Sequence, residues 1–302
     1  MAYAVKPFKT IEEQISILKD RGLDIEDEES VNKSLSNLNY YRLSGYTLTL
    51  RKDDHFYKGV RFSDVMQIYN FDMELRAALM YLLESIEVSM RTYIGYYHAK
   101  AFGPLGYHEE SAFENADRFH KFEEDYESAI KEYGAKEVFV KHHNEIYEGQ
   151  FPIWVLVELL TLGSLSRLFK NLTPEVRNEI CKANYGKIND EYIGNWLQAC
   201  TILRNICAHR GRLYNRQIPF SLRLGKKEKQ IFKNDGISIN KATKQLFAYL
   251  IVMRKMIPDE NVWNTFTAKL VDLKHKYPFV RLDYYGFVAD WEDILDITRS
   301  ES

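Results

Sequence analysis

Helical periodicity that runs without interruption from Ser63 to Gly103 constrains the fold of this chain more than any other feature. Apolar side chains recur there every three or four residues, so one continuous stripe of the segment has to be covered by other parts of the protein. The positions of this stripe are Ile68, Leu75, Leu79, Leu82, Ile86, Met90, Tyr93 and Tyr97. The segment therefore predicts one long helix or two helices in series.

Most of the remaining chain also has helical periodicity. Thr10 and Glu13 form a capping-box pattern ahead of a helix over residues 11–21, and a second helix is predicted from Ser30 to Tyr41. Further helices are predicted over 111–147, Ile153–Phe169, from Thr173-Pro174 onwards, over Asp190–Arg210 with Gly211 as a left-handed cap, and near 240–256 and 260–276. The fold class that follows is all-α.

Two regions are less regular than these helices. Residues 47–62 could hold a small hairpin across Asp53-Asp54, and a basic loop is predicted after Asn215. With only 7 Pro and 15 Gly in 302 residues, and no low-complexity linker, the chain has no obvious point of division. We distinguish an N-terminal helical segment (1–62), a helical core (63–216) and a C-terminal helical region (217–302), packed as one compact unit.

Features of export, of a membrane span and of cofactor binding are not found in the sequence. The start, MAYAVKPFKT, has no apolar signal core, and the run from Phe151 to Leu162 is too short for a bilayer and contains Glu158. Three cysteines without metal-type spacing argue against a disulfide framework. No glycine-rich phosphate loop or histidine pair at zinc spacing is present. We expect a cytoplasmic protein without cofactor or metal.

The net charge of −2 conceals a strongly basic region. Between Arg204 and Asn234, nine Lys and Arg residues stand against a single acidic residue, Glu228. Such a block fits a polyanionic partner, and it also fits a solvated surface with scattered lysines. Composition leaves both interpretations open.

Three polar side chains gather where the helix over Asp190–Arg210 ends. Asn205 and His209 are four residues apart and share a face, and a long Arg204 side chain can approach the imidazole from the neighbouring face. Histidine transfers protons near neutral pH, arginine binds phosphate with two nitrogens, and asparagine can orient the histidine or contact phosphate. This set is sufficient to cleave RNA through its 2′-hydroxyl without a metal.

Structural roles are the alternative for each of these residues. His209 could simply cap the helix, and Arg204 could pair with a carboxylate. Glu158 is one candidate for that carboxylate. The alternative is that Glu158 lies at a helix boundary and faces solvent. The residues after the helix, Arg210, Arg212, Tyr214 and Arg216, suit phosphate contacts and base stacking, although Tyr214 could equally belong to the core.

Five segments in order resemble the motifs of the Abi family, the AbiD/AbiF-like abortive-infection proteins. From the N-terminus onwards they are Asn39–Tyr46 (NYYRLSGY), Tyr69–Arg76 with Ile86–Arg91, Pro152-x-Trp154 with Glu158 and Leu162–Ser166, the run 204–216 (RNICAHRGRLYNR), and Gly286-Phe287 with Trp291. Val288 stands where the family pattern has a proline after Gly-Phe. The resemblance covers nearly the whole chain.

This resemblance implies a bundle of the HEPN superfamily of ribonucleases, with N-terminal and C-terminal helical additions. Arg204, Asn205 and His209 then take catalytic roles in metal-independent RNA cleavage within phage defence, in a homodimer. Relatives associated with small non-coding RNAs imply a regulatory RNA as a second partner, for which Lys226, Lys227 and Lys229 are candidate contacts. The alternatives are a non-catalytic module that binds RNA or protein, and a partner of a nucleotidyltransferase.

Overall fold

The computed structural model describes residue 5, residues 7–134 and residues 136–297, and within these ranges the fold is all-α. Its α-helices are α1 Ile11–Asp20, α2 Glu28–Asn37, α3 Tyr40–Ser44, α4 Phe62–Phe102, α5 Ala116–Tyr133, α6 Val138–Ile146, α7 Ile153–Leu156, α8 Leu162–Asn171, α9 Pro174–Asn184, α10 Asp190–Ala208, α11 Lys226–Asn234, α12 Ile239–Ala242, α13 Leu246–Arg254, α14 Glu260–Lys276 and α15 Trp291–Ile294. Short 3-10 turns cover Gly106–His108, Glu110–Ala112, Val157–Leu159 and Leu282–Tyr285.

Helix α4 is the element around which the others pack. Its 41 residues form one continuous helix, about 60 Å long at 1.5 Å per residue, and not two helices in series. Helices α7, α8, α9, α10 and α14 all lie against it. The predicted apolar stripe is buried at Ile68, Leu75, Leu79, Leu82, Ile86 and Met90. Among the described residues, no helix is both long and apolar enough to cross a membrane.

Helix α10 carries the predicted catalytic residues at its C-terminal end and buries the rest of its apolar face. It packs against α4, α8 and α13. Its buried residues include Ile193, Trp196, Leu197, Cys200, Leu203 and Cys207, the positions that the sequence assigns to the core. The last turn of α10 is therefore fixed to a well-packed helix.

The predicted single helix over Ile153–Phe169 is wrong, because the segment is broken in the middle. Helix α7 ends at Leu156, and α8 begins only at Leu162, with the Thr161 hydroxyl accepting from the Ser164 amide at 3.2 Å. The guanidinium of Arg91 binds the carbonyl oxygens at the break, at 2.9 Å to Val157 and 2.8 Å to Leu160, and also that of Glu158. Arg91 thus satisfies carbonyls that a continuous helix would have satisfied itself.

The N-terminal segment contains one further break and the predicted hairpin. The helix predicted from Ser30 to Tyr41 is divided, because the Asn39 side chain accepts from the Tyr41 amide at 2.8 Å and starts α3. The hairpin is confirmed as β1 Arg51–Lys52 paired antiparallel with β2 His55–Phe56. Its two turn residues have positive φ, 49° at Asp53 and 65° at Asp54, as a tight hairpin turn requires.

The C-terminal region differs from its prediction in two places. Helix α11 lies within the segment expected to be a basic loop, and the helix expected near 240–256 is divided into α12 and α13. The helix expected at 260–276 is confirmed as α14, which lies along α4. Glu74 of α4 joins the two helices, with 3.0 Å to Lys269, 2.7 Å to Lys276 and 2.6 Å to the Tyr277 hydroxyl.

Candidate functional site

Helix α10 ends in a hydrogen-bonded turn whose left-handed residue is Arg210. The Gly211 amide donates to the Ile206 carbonyl at 2.7 Å and the Arg210 amide to that of Cys207 at 3.0 Å, which is the Schellman pattern. Arg210 has a φ of 56°, so the prediction of Gly211 as the left-handed cap is wrong by one residue. Gly211 is still needed, since a Cβ there would lie 3.1 Å from the Ile206 carbonyl oxygen.

An arginine from the N-terminal segment holds this turn from outside. Arg42 Nη2 donates to the carbonyl oxygen of Arg210 at 2.6 Å, and its guanidinium lies 6.0 Å from the centre of the Tyr69 ring. Arg42 lies in the short helix α3, two residues after its start at Tyr40. The break between α2 and α3 therefore directs the Arg42 side chain toward the turn. The segment NYYRLSGY therefore serves the end of α10.

A buried carboxylate holds the same loop from inside. Asp72 on α4 is fully buried and accepts hydrogen bonds from the backbone amides of Leu213 at 3.2 Å and Tyr214 at 2.9 Å. It also accepts from the hydroxyls of Tyr46 at 2.8 Å and Tyr285 at 3.0 Å. One side chain thus joins the N-terminal segment, the core, the loop after α10 and the C-terminal tail.

Arg76 completes this cluster, which we call the Asp72 hub: Tyr46, Asp72, Arg76, Tyr285 and the amides of Leu213 and Tyr214. Arg76 forms a buried ion pair with Asp72 and donates to the Tyr46 hydroxyl at 3.3 Å. Burial raises the pKa of the Asp72 carboxyl, whereas Arg76 and the other donors stabilise its charged form. Since every contact of Asp72 is with a donor, the hub accommodates the carboxylate rather than the acid.

Arg204 lines a cleft of about 570 Å³ between α10 and the outer face of α4. Its guanidinium has one hydrogen bond within the described residues, a long contact of 3.5 Å to the Asn205 side chain. The other charged residues of this cleft are Glu84, Glu87, Arg91 and Glu158. Positive and negative groups therefore face each other across a space wide enough for a ligand.

Glu158 takes the solvent-facing position that was one of its two interpretations. Its side chain is 56% exposed, and its ion pair is with Arg91 at 3.7 Å rather than with Arg204. Glu87 forms the expected pair with Arg91, one helical turn away on α4. Glu158 remains in the same cleft as Arg204.

His209 faces a second cleft of about 570 Å³, on the side of the N-terminal segment. Its imidazole is exposed, and among the described residues it makes no hydrogen bond. Arg204 and His209 lie five residues apart at the C-terminal end of α10 but line different clefts, and the described part of the chain has no hydrogen bond between their side chains. The arginines of the second cleft are Arg42, Arg51, Arg210 and Arg212.

The residues proposed for RNA contacts after α10 have different surroundings. Tyr214 is buried against Tyr284 and Tyr285, with its hydroxyl 2.7 Å from that of Thr49, so it takes the core role and cannot stack on a base. Arg212 donates to the carbonyls of Tyr214 and Asn215, and Arg216 to that of Arg212 at 3.2 Å. Arg210 alone of this group is exposed without such a bond in the described chain.

The basic block is not one continuous surface. After the turn, the chain runs back along α10, since the Arg223 amide donates to the Asn195 side chain at 2.8 Å and its guanidinium pairs with Glu191. Lys226, Lys227 and Lys229 follow on the first turn of α11 and are exposed. About 20 Å of α10 therefore separates this second group of cations from His209.

Two residues near His209 are not among those singled out from the sequence. Tyr41 is 86% exposed at the edge of the second cleft, and Arg51 lies deeper in the same cleft. Tyr41 precedes Arg42 in the segment NYYRLSGY, which the sequence indicates only as a motif. Contact between residues more than 150 positions apart has no signal in a single sequence.

Fold and site together define a class, an all-helical protein in which a buried carboxylate secures an exposed Arg-Asn-x-x-x-His turn. The model of the Abi-like protein family matches residues 33–215, more than half of the chain, and the chain belongs to this family. The match includes Arg42, Asp72 and the whole turn at the end of α10. Membership indicates a role in phage defence by abortive infection.

The other comparisons add no relative. No curated protein and no solved structure gives a significant match to the chain. Among the described residues, no group of three His, Cys, Asp or Glu side chains is arranged to hold a metal ion.

Proposed function

We propose that this Abi-like protein is a metal-independent endoribonuclease of the HEPN type. The observation that carries the proposal is the contrast in bonding around the last turn of α10. Asp72 and Arg42 are fully engaged in holding the loop, while Arg204 and His209 project into clefts with at most one weak contact. Polar groups that a fold holds in place but leaves without partners are candidates for binding a ligand.

The chemistry follows from the three side chains. A neutral imidazole at His209 removes the proton of a ribose 2′-hydroxyl, and the oxygen attacks the adjacent phosphorus. The long Arg204 side chain turns from its own cleft toward His209, and its guanidinium stabilises the charge that builds up on the phosphoryl oxygens. Asn205 donates an amide hydrogen bond to the same phosphate. The expected products carry a 2′,3′-cyclic phosphate and a 5′-hydroxyl end.

A second copy of the chain supplies the acid for the leaving oxygen. One His209 cannot act as base and acid in the same step, and no other histidine lines either cleft in the described structure. The outer face of α4 beside Arg204 exposes apolar side chains, Met73 at 44%, Tyr81 at 45% and Val88 at 56%. Burial of this face in a homodimer would bring two copies of the turn toward one shared site.

Denaturing gels of total RNA incubated with purified protein in excess EDTA test the activity. We expect the wild-type protein to cut RNA, His209→Ala to lose cleavage and His142→Ala, a change of an exposed histidine on α6, to keep it. Ends of the fragments are assigned by whether phosphatase or kinase treatment is needed for ligation. Cleavage that stops with EDTA and returns with magnesium would overturn the mechanism.

Light scattering tests the homodimer. We expect the wild-type protein at twice the monomer mass and Val88→Glu nearer the monomer mass with reduced cleavage, because the charge cannot be buried on the apolar face. Lys33→Glu, a change of an exposed residue on α2, serves as the control. A wild-type monomer that still cuts RNA would contradict a composite site.

The alternative function is a module that binds RNA without cutting it, and the separated cations favour testing it. Lys226, Lys227 and Lys229 lie too far from His209 to contact the same phosphate, so they suit a bound regulatory RNA. We expect a discrete RNA to purify with the protein, and charge reversal of these lysines to release it. The release should increase toxicity if the Arg204–His209 site cuts RNA, and should leave toxicity unchanged if the protein only binds RNA. Recovery of no RNA would favour a protein as the restraint.

A further inference from the structure

A third cleft, of about 190 Å³, lies between α5 and α8, away from both clefts of the α10 turn. Its lining includes four cationic side chains, Arg118, Lys121, Arg167 and Lys170, against the single carboxylate of Asp125. None of these residues has a role in the chemistry proposed above. Positive charge in excess on a concave surface favours the binding of an anion.

Lys170 is the most buried of these cations, and its charge has no acidic partner among the described residues. Its stem packs on Gly194 of α10, where a Cβ would lie 3.4 Å from Lys170 Cγ, and its ammonium donates to the neutral amide oxygen of Gln198. No acidic side chain of the described chain lies within 4 Å of it. Burial, together with Arg118 and Arg223 nearby, lowers the pKa of Lys170. The fold thus keeps this ammonium half-buried among like charges.

The carboxylate of the cleft is already engaged elsewhere. Asp125 pairs with Arg167 and lies 3.8 Å from Lys121. Arg118, at the other side of the cleft, has neither a side-chain hydrogen bond nor an acid within 4 Å among the residues described. Lys170 and Arg118 therefore share a surplus of charge that a bound anion would neutralise.

The position of this cleft relates it to the turn at the end of α10. Gln198, the partner of Lys170, lies seven residues before Asn205 on the same face of α10, about 10 Å along the helix. Thr201 lies between them and contacts Gly163 of α8, where a Cβ would lie 3.4 Å from Thr201 Cγ2 and 3.7 Å from Arg167 Nη1. Lys170 and Arg167 thus both lie beside this face of α10, with Arg167 nearer the turn.

We propose that Arg118 and Lys170 bind a phosphate group of the RNA strand whose cleavage the Arg204–His209 turn performs. A distance of about 10 Å along α10 is short enough for one RNA strand to reach both the cleft and the turn. The inference rests on the proposed function for the identity of the strand, and on the uncompensated charge for the binding itself. In this proposal, the cleft is a subsite that fixes the path of single-stranded RNA along α10.

Binding to an uncleaved RNA tests this subsite separately from catalysis. In a His209→Ala background, Lys170→Met and Arg118→Gln are compared by fluorescence anisotropy with labelled oligouridylate long enough to span both sites. Methionine retains the stem that packs on Gly194, and Lys33→Met on α2 is the matched control. Because the two cations are proposed to bind one phosphate, removal of both should reduce the magnitude of the slope of log K against log salt by about 0.7, and removal of either one by a part of that.

The arms of the experiment distinguish the outcomes. A dinucleotide that reaches only the turn should bind the variants and the control equally, whereas the longer strand should not. Equal salt slopes for the double variant and the control, with unchanged thermal melting, would overturn the subsite. If inorganic phosphate competes with oligouridylate at equal concentration, the cleft binds a free anion rather than an RNA strand. That result would also overturn the subsite. Wild-type protein that fails to cut RNA, with the slopes still reduced, would refute the catalytic proposal alone.

Discussion

Two polar clusters lie on either side of the loop after α10, and they differ in burial and in hydrogen bonding. On its inner side, the Asp72 hub is buried, and each oxygen of the carboxylate has donors. On its outer side, Arg204 and His209 line open clefts, and Arg204 alone has a weak contact, with Asn205. Arginine thus occurs in both clusters, with a structural task at Arg76 and a proposed catalytic task at Arg204. The difference teaches that saturation of hydrogen bonds, rather than residue type, separates a structural cluster from a candidate site.

The comparison predicts that removing the outer residues costs activity and not stability. His209→Ala and Arg204→Ala should each lower the rate of RNA cleavage by about 10²–10⁴-fold. Their urea midpoints should equal that of the wild type, because neither side chain supports a neighbour. A clear loss of stability in either variant would show that the turn depends on these side chains for its fold.

The inner cluster should behave in the opposite way. Asp72→Asn leaves Arg76 buried without its partner and turns an amide toward several donors, so we expect a loss of about 3–5 kcal/mol in the free energy of unfolding. Urea unfolding followed by circular dichroism measures it. Asp54→Asn, at an exposed hairpin residue, should change stability by less than about 1 kcal/mol. Similar stability of both variants would mean that the hub is not a structural centre.

A milder change in the hub should show how the tail supports the turn. Tyr285→Phe removes one hydrogen bond to the charged Asp72, which is worth about 1.5–3 kcal/mol. Tyr284→Phe is the control, since the Tyr284 ring packs against Tyr214 from outside the hub. We expect RNA cleavage to decrease in Tyr285→Phe alone, measured below its unfolding transition. Unchanged cleavage would separate the tail from the site.

The smallest predicted effect concerns the residue between the two clusters. Arg210 has the left-handed backbone that glycine adopts without cost, so Arg210→Gly should stabilise the protein by about 1 kcal/mol. Arg210→Ala keeps the strained backbone and loses the same charge, and it should gain nothing. If both variants also cut RNA more slowly, the arginine is retained for its charge at the expense of stability.

Features that depend on periodicity were predictable from the sequence, whereas long-range contacts were not. The stripe of α4, the buried face of α10, the capping box at Thr10 and the hairpin at Asp53-Asp54 follow from local spacing and are confirmed. The break after Leu156 was missed, because its segment is mostly apolar and its stabilising partner, Arg91, is more than 60 residues away. The residues around Leu156 do not indicate that partner.

The candidate site shows the same limit more sharply. The sequence indicates Arg204, Asn205 and His209 as a cluster, and the structure places all three at the C-terminal end of α10, yet it directs Arg204 and His209 into separate clefts. The sequence indicates Asp72 only as a member of a motif and not as a structural centre. Most of its hydrogen-bond donors come from distant parts of the chain. Lys226 follows Arg210 closely in sequence but not in space, because the chain reverses along α10.

The Asp72 hub also has a consequence for the order of events during synthesis. Tyr285 lies 72 positions after Leu213, so at 5–20 residues per second a ribosome needs about 4–14 s to add it once the loop has been made. For that time the nascent chain already contains Arg204 and His209 but lacks one of the donors that fix the loop. A nuclease of the proposed kind would therefore be incomplete while it is still beside the messenger RNA that encodes it.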